Sequence, residues 1–292
     1  MEFQPPANLA CPLDGGALQK ENSRFVCANG HSFDVARQGY LNLLPVQHKK
    51  SKSPGDSKAM VEARTRFLAT GVYQPIARRL CEILRGHWPE SSPVCLLDAG
   101  CGEGYYLDYL YDNLFESPLR ADFIGMDISK PAIVAAVKRN RRITWLVAGN
   151  RQPPLLPASV DIILCMFGFP VYDAFMKILK PGGKLVLVEA GTHHLIELRR
   201  VIYEQVRQRL LPSLDAARHC GFELLEQDSI TYQTDPLSQP QISDLLLMTP
   251  HLFRANAAGK QRAAQLERIA LTVDVSFRVL YFGSSTAGNE SL

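Results

Sequence analysis

The segment LLDAGCGEGYY at positions 96–106 constrains this chain more than any other stretch. An apolar run stops at Asp98, glycines follow at alternate positions (Gly100, Gly102 and Gly104), and a segment of helical character begins at once. Glycine is required where the backbone turns through conformations that a Cβ forbids, or where a ligand packs directly on the main chain. The pattern therefore implies a buried strand, a tight turn and a helix, the unit from which parallel sheets are built. The same alternation recurs downstream, with strands expected over 94–100, 122–128, 143–149, 160–167 and 184–190 and helices over 103–115 and 131–140. Ser129 and Pro131 mark the start of the second helix. The tail adds helices over 194–210, 213–220 and 241–248, a strand over 222–235, and a last strand over 271–283 that is expected to join antiparallel. The result is an α/β, doubly wound, Rossmann-like fold with a seven-stranded, mostly parallel sheet.

Composition narrows the function classes. The longest apolar runs, 160–169 and 184–190, are strand-sized, so no membrane association is expected. The opening MEFQPPANLACP has no basic region followed by an apolar stretch, so it does not read as a secretory signal, and a cytoplasmic address follows. Seven cysteines, an odd number in 292 residues, point to reduced thiols. Cys81, Cys95, Cys101, Cys165 and Cys220 read as small buried fillers. The net charge of +3 is too weak to announce a nucleic-acid partner, but residues 1–90 hold 12 Lys/Arg against 8 Asp/Glu, which places the basic excess in the first third.

The glycine spacing separates two cofactor chemistries. A dinucleotide site uses G-x-G-x-x-G to turn a helix N-terminus toward pyrophosphate. Here the pattern is D-x-G-x-G-x-G, the form used by enzymes of S-adenosylmethionine (SAM), which has no phosphate and presents an amino-acid end. Asp127 closes the next strand in FIGMDIS, where a carboxylate can accept both ribose hydroxyls. The plainer reading, a tight strand–helix turn, loses weight because Asp127 and the Pro181-Gly182-Gly183 turn fall in register with it.

Before residue 90 the character changes. Cys11-Pro-Leu-Asp14 and Cys27-Ala-Asn-Gly-His31 have the spacing of two metal knuckles separated by a hairpin-length insert. The chain divides into a zinc-finger-like head (1–45), a basic connector with helices over 57–70 and 72–85 (46–90), and the sheet domain (91–292). His48, Lys49, Lys50, Lys52 and Lys58 cluster in the connector, just after Tyr40 and Asn42; Arg199, Arg200, Arg207 and Arg209 form a second basic group. Such residues either attract phosphates or form a solvated charged face.

Taken together, GYLNLLPVQHKKSKSPGDSKAMVEAR (39–64), LLDAGCGEGYY, LKPGGKLV, the helix near His194 and LLLMTPHLFRA resemble the RlmA family, bacterial methyltransferases acting on N1 of a guanine in a hairpin of large-subunit ribosomal RNA. The resemblance implies a class I SAM-dependent methyltransferase with a small Cys/His head. It places Gly102, Glu103, Tyr73 and His194 at positions that contact SAM, beside Asp98, Gly100, Gly104 and Asp127 from the motif itself. It also implies one structural zinc on Cys11, Asp14, Cys27 and His31, with Asp14 standing where the family has Cys. A hard oxygen in place of a soft sulfur lowers zinc affinity, and a finger that keeps its shape without the ion is the rival reading. The implied partner is a 23S rRNA hairpin, with a homodimer compatible and no membrane. The lip after the fourth strand, CMFGFPVYD, lacks the Asn/Asp-Pro-Pro-Tyr pattern of exocyclic-amine methyltransferases. Asp173, Glu189 and His193 lie in lip regions, and no catalytic base is assigned among them. Two alternatives stand beside this reading: a small-molecule methyltransferase, disfavoured by the head and connector, and a cofactor-binding RNA-binding protein that has lost catalysis.

Overall fold

Near-continuous apolar runs along the central strands decide the architecture, because each of these strands buries both of its faces. A computed structural model of the chain describes residues 5–45, 47, 54–90, 93–114, 121–206, 208, 210–249 and 255–283. Three short antiparallel strands, β1 (Gln19–Glu21), β2 (Arg24–Val26) and β3 (Ser32–Asp34), form the head. They are followed by β4 (Leu41–Asn42), α1 (Lys58–Ala69) and α2 (Gln74–Gly86). The sheet domain continues with β5 (Val94–Ala99), α3 (Tyr105–Asn113), β6 (Ala121–Asp127), α4 (Lys130–Arg139), β7 (Thr144–Val147), β8 (Val160–Met166), α5 (Tyr172–Ile178) and β9 (Leu179–Ala190). After these come α6 (Ile196–Ile202), α7 (Asp215–His219), β10 (Phe222–Gln233), β11 (Leu237–Ser238), α8 (Gln239–Met248), α9 (Ala257–Ala264), β12 (Arg268–Ile269) and β13 (Thr272–Phe282).

The main sheet runs β10-β13-β9-β8-β5-β6-β7-β4, parallel from β9 to β4 and antiparallel at β13 and β10. Seven of these strands were expected. The eighth, β4, pairs Leu41 with Leu146 and Asn42 with Val147. Two residues carry no periodicity, so only the tertiary contact reveals this strand. One face of the sheet, with Leu96, Ile162, Leu164, Val186 and Val188, packs on α1, α2, α3 and α4. The opposite face, with Leu97, Ile163, Cys165, Leu185 and Leu187, packs on α5 and on Leu9, Leu18 and Phe25 of the head. The head thus fills space that helices occupy in other doubly wound sheets. Among the described residues, no helix is long and apolar enough to cross a membrane.

Caps follow the local sequence. Ser57 accepts from the Met60 N–H at the start of α1, and Ser129 accepts from the Ala132 N–H at the start of α4. The helix expected over 194–210 is shorter, Ile196–Ile202. Its C-terminal carbonyls on Val201 and Ile202 accept from the Arg262 guanidinium at 2.7 and 3.1 Å, which replaces the backbone partners that a longer helix would supply. Of the expected buried cysteine fillers, Cys81, Cys95, Cys101 and Cys165 are buried, whereas Cys220 is half-buried at the end of α7.

Candidate functional site

Gly100, Gly102 and Gly104 all adopt left-handed backbone, with φ of 95°, 57° and 82°. Their glycine identity has two causes. At Gly104 a Cβ would sit 2.6 Å from Trp145 Cη2, so the residue must be small for the loop to close on the core. At Gly100 and Gly102 a Cβ would make only ordinary contact, 3.9 Å from Asn150 Nδ2 and 3.5 Å from Arg64 Nη1, so there the left-handed backbone rather than crowding calls for glycine and leaves a bare main chain. The Gly100 and Cys101 N–H groups donate to the Met126 carbonyl at 2.8 and 3.0 Å, which fixes the loop against the end of β6.

Three carboxylates surround this loop. Asp127 accepts from the Gly102 N–H at 3.0 Å and the Ser129 N–H at 2.7 Å, one on each oxygen, and each oxygen keeps a further lone pair. Burial raises its pKa despite those bonds. Asp98 is 1% exposed, and its Oδ1 has no hydrogen-bond partner among the described residues. Burial, with the nearby charges of Asp127 and Glu103, pushes its carboxyl up to about 8. Glu103 is buried beside Arg139 at 3.5 Å and is also raised by burial. A buried, unpartnered carboxylate oxygen beside exposed main chain fits the ammonium of an amino-acid ligand, and Asp127 fits a ribose; the residues present suit SAM.

Tyr73 and His194, 121 residues apart, meet through Tyr73 Oη and His194 Nε2 at 3.3 Å. The Asp274 N–H donates to His194 Nδ1 at 3.3 Å, which assigns the imidazole proton to Nε2. Phe167 stacks on His194 at 6.1 Å and lies 6.4 Å from the Tyr106 ring, so these four rings border the loop's helix. Burial pushes the Tyr73 phenol well above its ordinary range. Phe167 holds φ of 50°, a strained conformation for a side chain of its size, at the end of β8. Phe169, two residues on, is 85% exposed.

The lip residues separate clearly. Glu189 is taken by Arg278 through Nε at 2.8 Å and a shorter Nη2 contact, and that pair lies between β9 and β13. Asp173 stands in the first turn of α5. His193 is mostly exposed, with its Nδ1 3.8 Å from Asp274 Oδ2, and together with Thr192, Ile196, Arg199 and Arg200 it lines a cavity of about 350 Å³. The basic surfaces differ from expectation. Arg199 is buried and donates to the Thr192 carbonyl at 3.0 Å, because the short α6 turns it inward; Arg200 remains exposed. Tyr40 is buried in the core, so its ring is not offered to a ligand. Asn42 is exposed and Lys58 lies 3.6 Å from Glu62. His48, Lys49, Lys50, Lys52, Arg207 and Arg209 lie outside the described residues.

In the head, Cys11, Asp14, Cys27 and His31 bring one ligand atom each to within 4.8 Å of one another. His31 Nδ1 stands 2.9 Å from Asp14 Oδ2, 3.4 Å from Cys27 Sγ and 3.5 Å from Cys11 Sγ, and Cys27 Sγ stands 3.3 Å from Asp14. Bonds of roughly 2.0–2.3 Å around a tetrahedral zinc put ligand atoms about 3.3–3.8 Å apart, so this set fits the ion with little adjustment. The Asn29 amide and the Gly16 N–H donate to Asp14 and hold its carboxyl far below the ordinary range, ready as an anionic ligand. Burial raises the Cys11 thiol, a cost that coordination would offset. Left-handed Gly15 and Gly30 close the two knuckles.

One residue at the loop escaped the sequence reading. Arg64 of α1 lies over Gly102 and pairs with Asp56 at 2.5 Å. Its only sequence signal is membership in the block that ends EAR at position 64.

Comparison with known proteins follows the same division. Residues 9–52 match the family described as "RlmA, N-terminal", and residues 96–183 match the family described as "Methyltransferase domain". The "23S rRNA (guanine(748)-N(1))-methyltransferase" of Streptomyces fradiae is 35% identical over 191 residues, covering 65% of this chain and 66% of that protein. The "Putative 23S rRNA (guanine-N(1)-)-methyltransferase" of Micromonospora griseorubida is 31% identical over 208 residues, covering 65% of this chain and 68% of that protein. The "Putative 23S rRNA (guanine-N(1)-)-methyltransferase YxjB" of Bacillus subtilis (strain 168) is 27% identical but spans 92% of this chain and 95% of its own length.

Proposed function

Because this chain belongs to the RlmA family of 23S rRNA (guanine-N1)-methyltransferases, we propose that it transfers the methyl group of SAM to N1 of a guanine in a hairpin loop of 23S rRNA. The carrying observation is the pairing in one fold of a Cys/Asp/Cys/His head with a bare glycine loop beside buried Asp98 and half-buried Asp127. When bound, SAM supplies a methyl group already activated on a sulfonium sulfur.

The residues divide the remaining work. Asp127 holds a ribose, Asp98 meets an ammonium, and the bare main chain of Gly100 and Gly102 lets the ligand lie against it. Glu103 backs the loop, and Gly104 closes it on the core. Tyr73 and His194 build one wall of the pocket with Phe167. Guanine N1 carries a proton at neutral pH, so a base must accept it. Of the lip residues, Glu189 is consumed by Arg278, which leaves Asp173 and mostly exposed His193 as the candidates for that step. The target base must leave its stack to reach the lip, and exposed Phe169 offers it a face.

Cys11, Asp14, Cys27 and His31 would hold a structural zinc that shapes residues 1–45 as the RNA-recognition head, with 46–90 as the connector and 91–292 as the catalytic unit. We place the protein in the cytoplasm with its rRNA substrate; a homodimer is the assembly to look for by sedimentation. The test is incubation of the full chain with SAM and unmodified 23S rRNA, followed by mapping of reverse-transcriptase stops. N1-methylguanine loses its Watson–Crick edge, so a single new stop within a hairpin loop is expected. No stop, with SAM binding demonstrated separately, would sink the rRNA assignment and leave the small-molecule reading.

A further inference from the structure

The amino-acid end of SAM carries two opposite charges. Near the glycine loop, Asp98, Glu103 and Asp127 are all acidic and buried or nearly so, a setting that offers acceptors to the ammonium and no positive charge to the carboxylate. A cation is needed on the loop's open side. Arg139 sits on the α4 side, shared between Glu103 at 3.5 Å, Asp108 at 3.9 Å and the Tyr105 ring. Arg64 sits elsewhere: a Cβ built on Gly102 would lie 3.5 Å from its Nη1 and 3.9 Å from its Cδ. Its guanidinium therefore lies beside the bare main chain of Gly102.

Arg64 is also held in place. Asp56 Oδ2 lies 2.5 Å from its Nη1, and its Nη2 donates to the Met248 carbonyl at the end of α8 at 3.3 Å. Asp56 is itself anchored, because Ser129 Oγ donates to its carbonyl at 2.7 Å. Gly55 keeps φ of 80° and presses so close to Ser129 that a Cβ would stand 2.8 Å from that side chain. Three segments outside the glycine motif, PGDS, EAR and LLLMTP, thus converge on one guanidinium. With five N–H donors in a planar fork, arginine can keep Asp56 and Met248 while directing others at a second carboxylate, which a lysine cannot do in the same geometry.

Resting on the SAM reading above, we propose that Arg64 receives the carboxylate of the cofactor's methionine end and that Asp56 positions Arg64 for it. Calorimetric titration of the full chain with SAM and with decarboxylated SAM tests this without RNA or turnover. Wild type should prefer SAM by about tenfold or more. Arg64→Gln should weaken SAM by about 10- to 100-fold and leave the decarboxylated analogue within about twofold, erasing the preference. Arg64→Lys should keep part of it, and Asp56→Asn should shrink it by less than Arg64→Gln does. Equal binding of both ligands by wild type, or equal weakening of both by Arg64→Gln, overturns the assignment while the SAM reading stands. A preference unchanged in Asp56→Asn removes the positioning role. Binding of neither ligand by wild type would sink the SAM reading and this inference together.

Discussion

The Cys/His head and the glycine loop are both closed by left-handed glycines, yet they build their sites from different atoms. The head presents four side-chain donors from the turns beside its short strands, and the backbone of Gly15 and Gly30 only shapes those turns. The loop presents its main chain, with side chains kept away at Gly100 and Gly102 and the whole turn seated on Trp145 at Gly104. A donor set can exchange one ligand type for another and keep its geometry, and Asp14 stands among two thiols and an imidazole in such a set. A backbone surface has no such latitude, because any added Cβ changes both the conformation and the space. The head also borrows its core from one face of the sheet through Leu9, Leu18 and Phe25, while the loop seats on Trp145 in the core of the opposite face.

The sharpest test of this difference is Gly104→Ala. Left-handed backbone and the 2.6 Å approach to Trp145 together should cost roughly 2–5 kcal/mol in urea unfolding, with SAM binding lost alongside. A variant as stable as wild type would show that the loop has the latitude denied to it here. The next effect is a pH dependence. Burial raises Asp98 to about 8, so between about pH 4 and pH 8 the folded state keeps a proton that the unfolded chain has released. Stability should therefore fall as pH rises through that window, by at most about 1.4 kcal/mol per pH unit from this group. Asp98→Asn should flatten the slope, and Glu103 and Asp127, also raised by burial, leave a residue of the same sign. The smallest change is in the head. Protein purified without chelator should carry about one zinc per chain, and Asp14→Cys should retain it against a chelator by about tenfold more, read by elemental analysis. Metal-free wild type would make the head a finger that keeps its shape without an ion.

What could be read locally was read well. The D-x-G-x-G-x-G turn, the Asp127 strand end and the Ser57 and Ser129 regions involve residues within a few positions of one another, and local backbone preference governs them. Reach defeated the reading elsewhere. The helix expected over 194–210 ends at Ile202, where Arg262, sixty positions along, takes its last carbonyls. Arg199 and Tyr40, expected on surfaces, are buried because α6 and the GYLNLLP segment pack inward.

From the sequence alone came the order of the seven long strands and of the helices beside the glycine turn, that turn with its two acidic partners, and the four candidate donors of the head, all set by periodicity and short-range spacing; α5, α9 and the short strands were not read. Only the tertiary structure decided that β4 closes the sheet, that Tyr73 meets His194, that Glu189 belongs to Arg278, and that Arg64 lies over Gly102. The reason is physical: short-range spacing fixes dihedrals and caps, whereas contacts between distant residues are chosen by how whole layers bury their apolar faces and satisfy their charges.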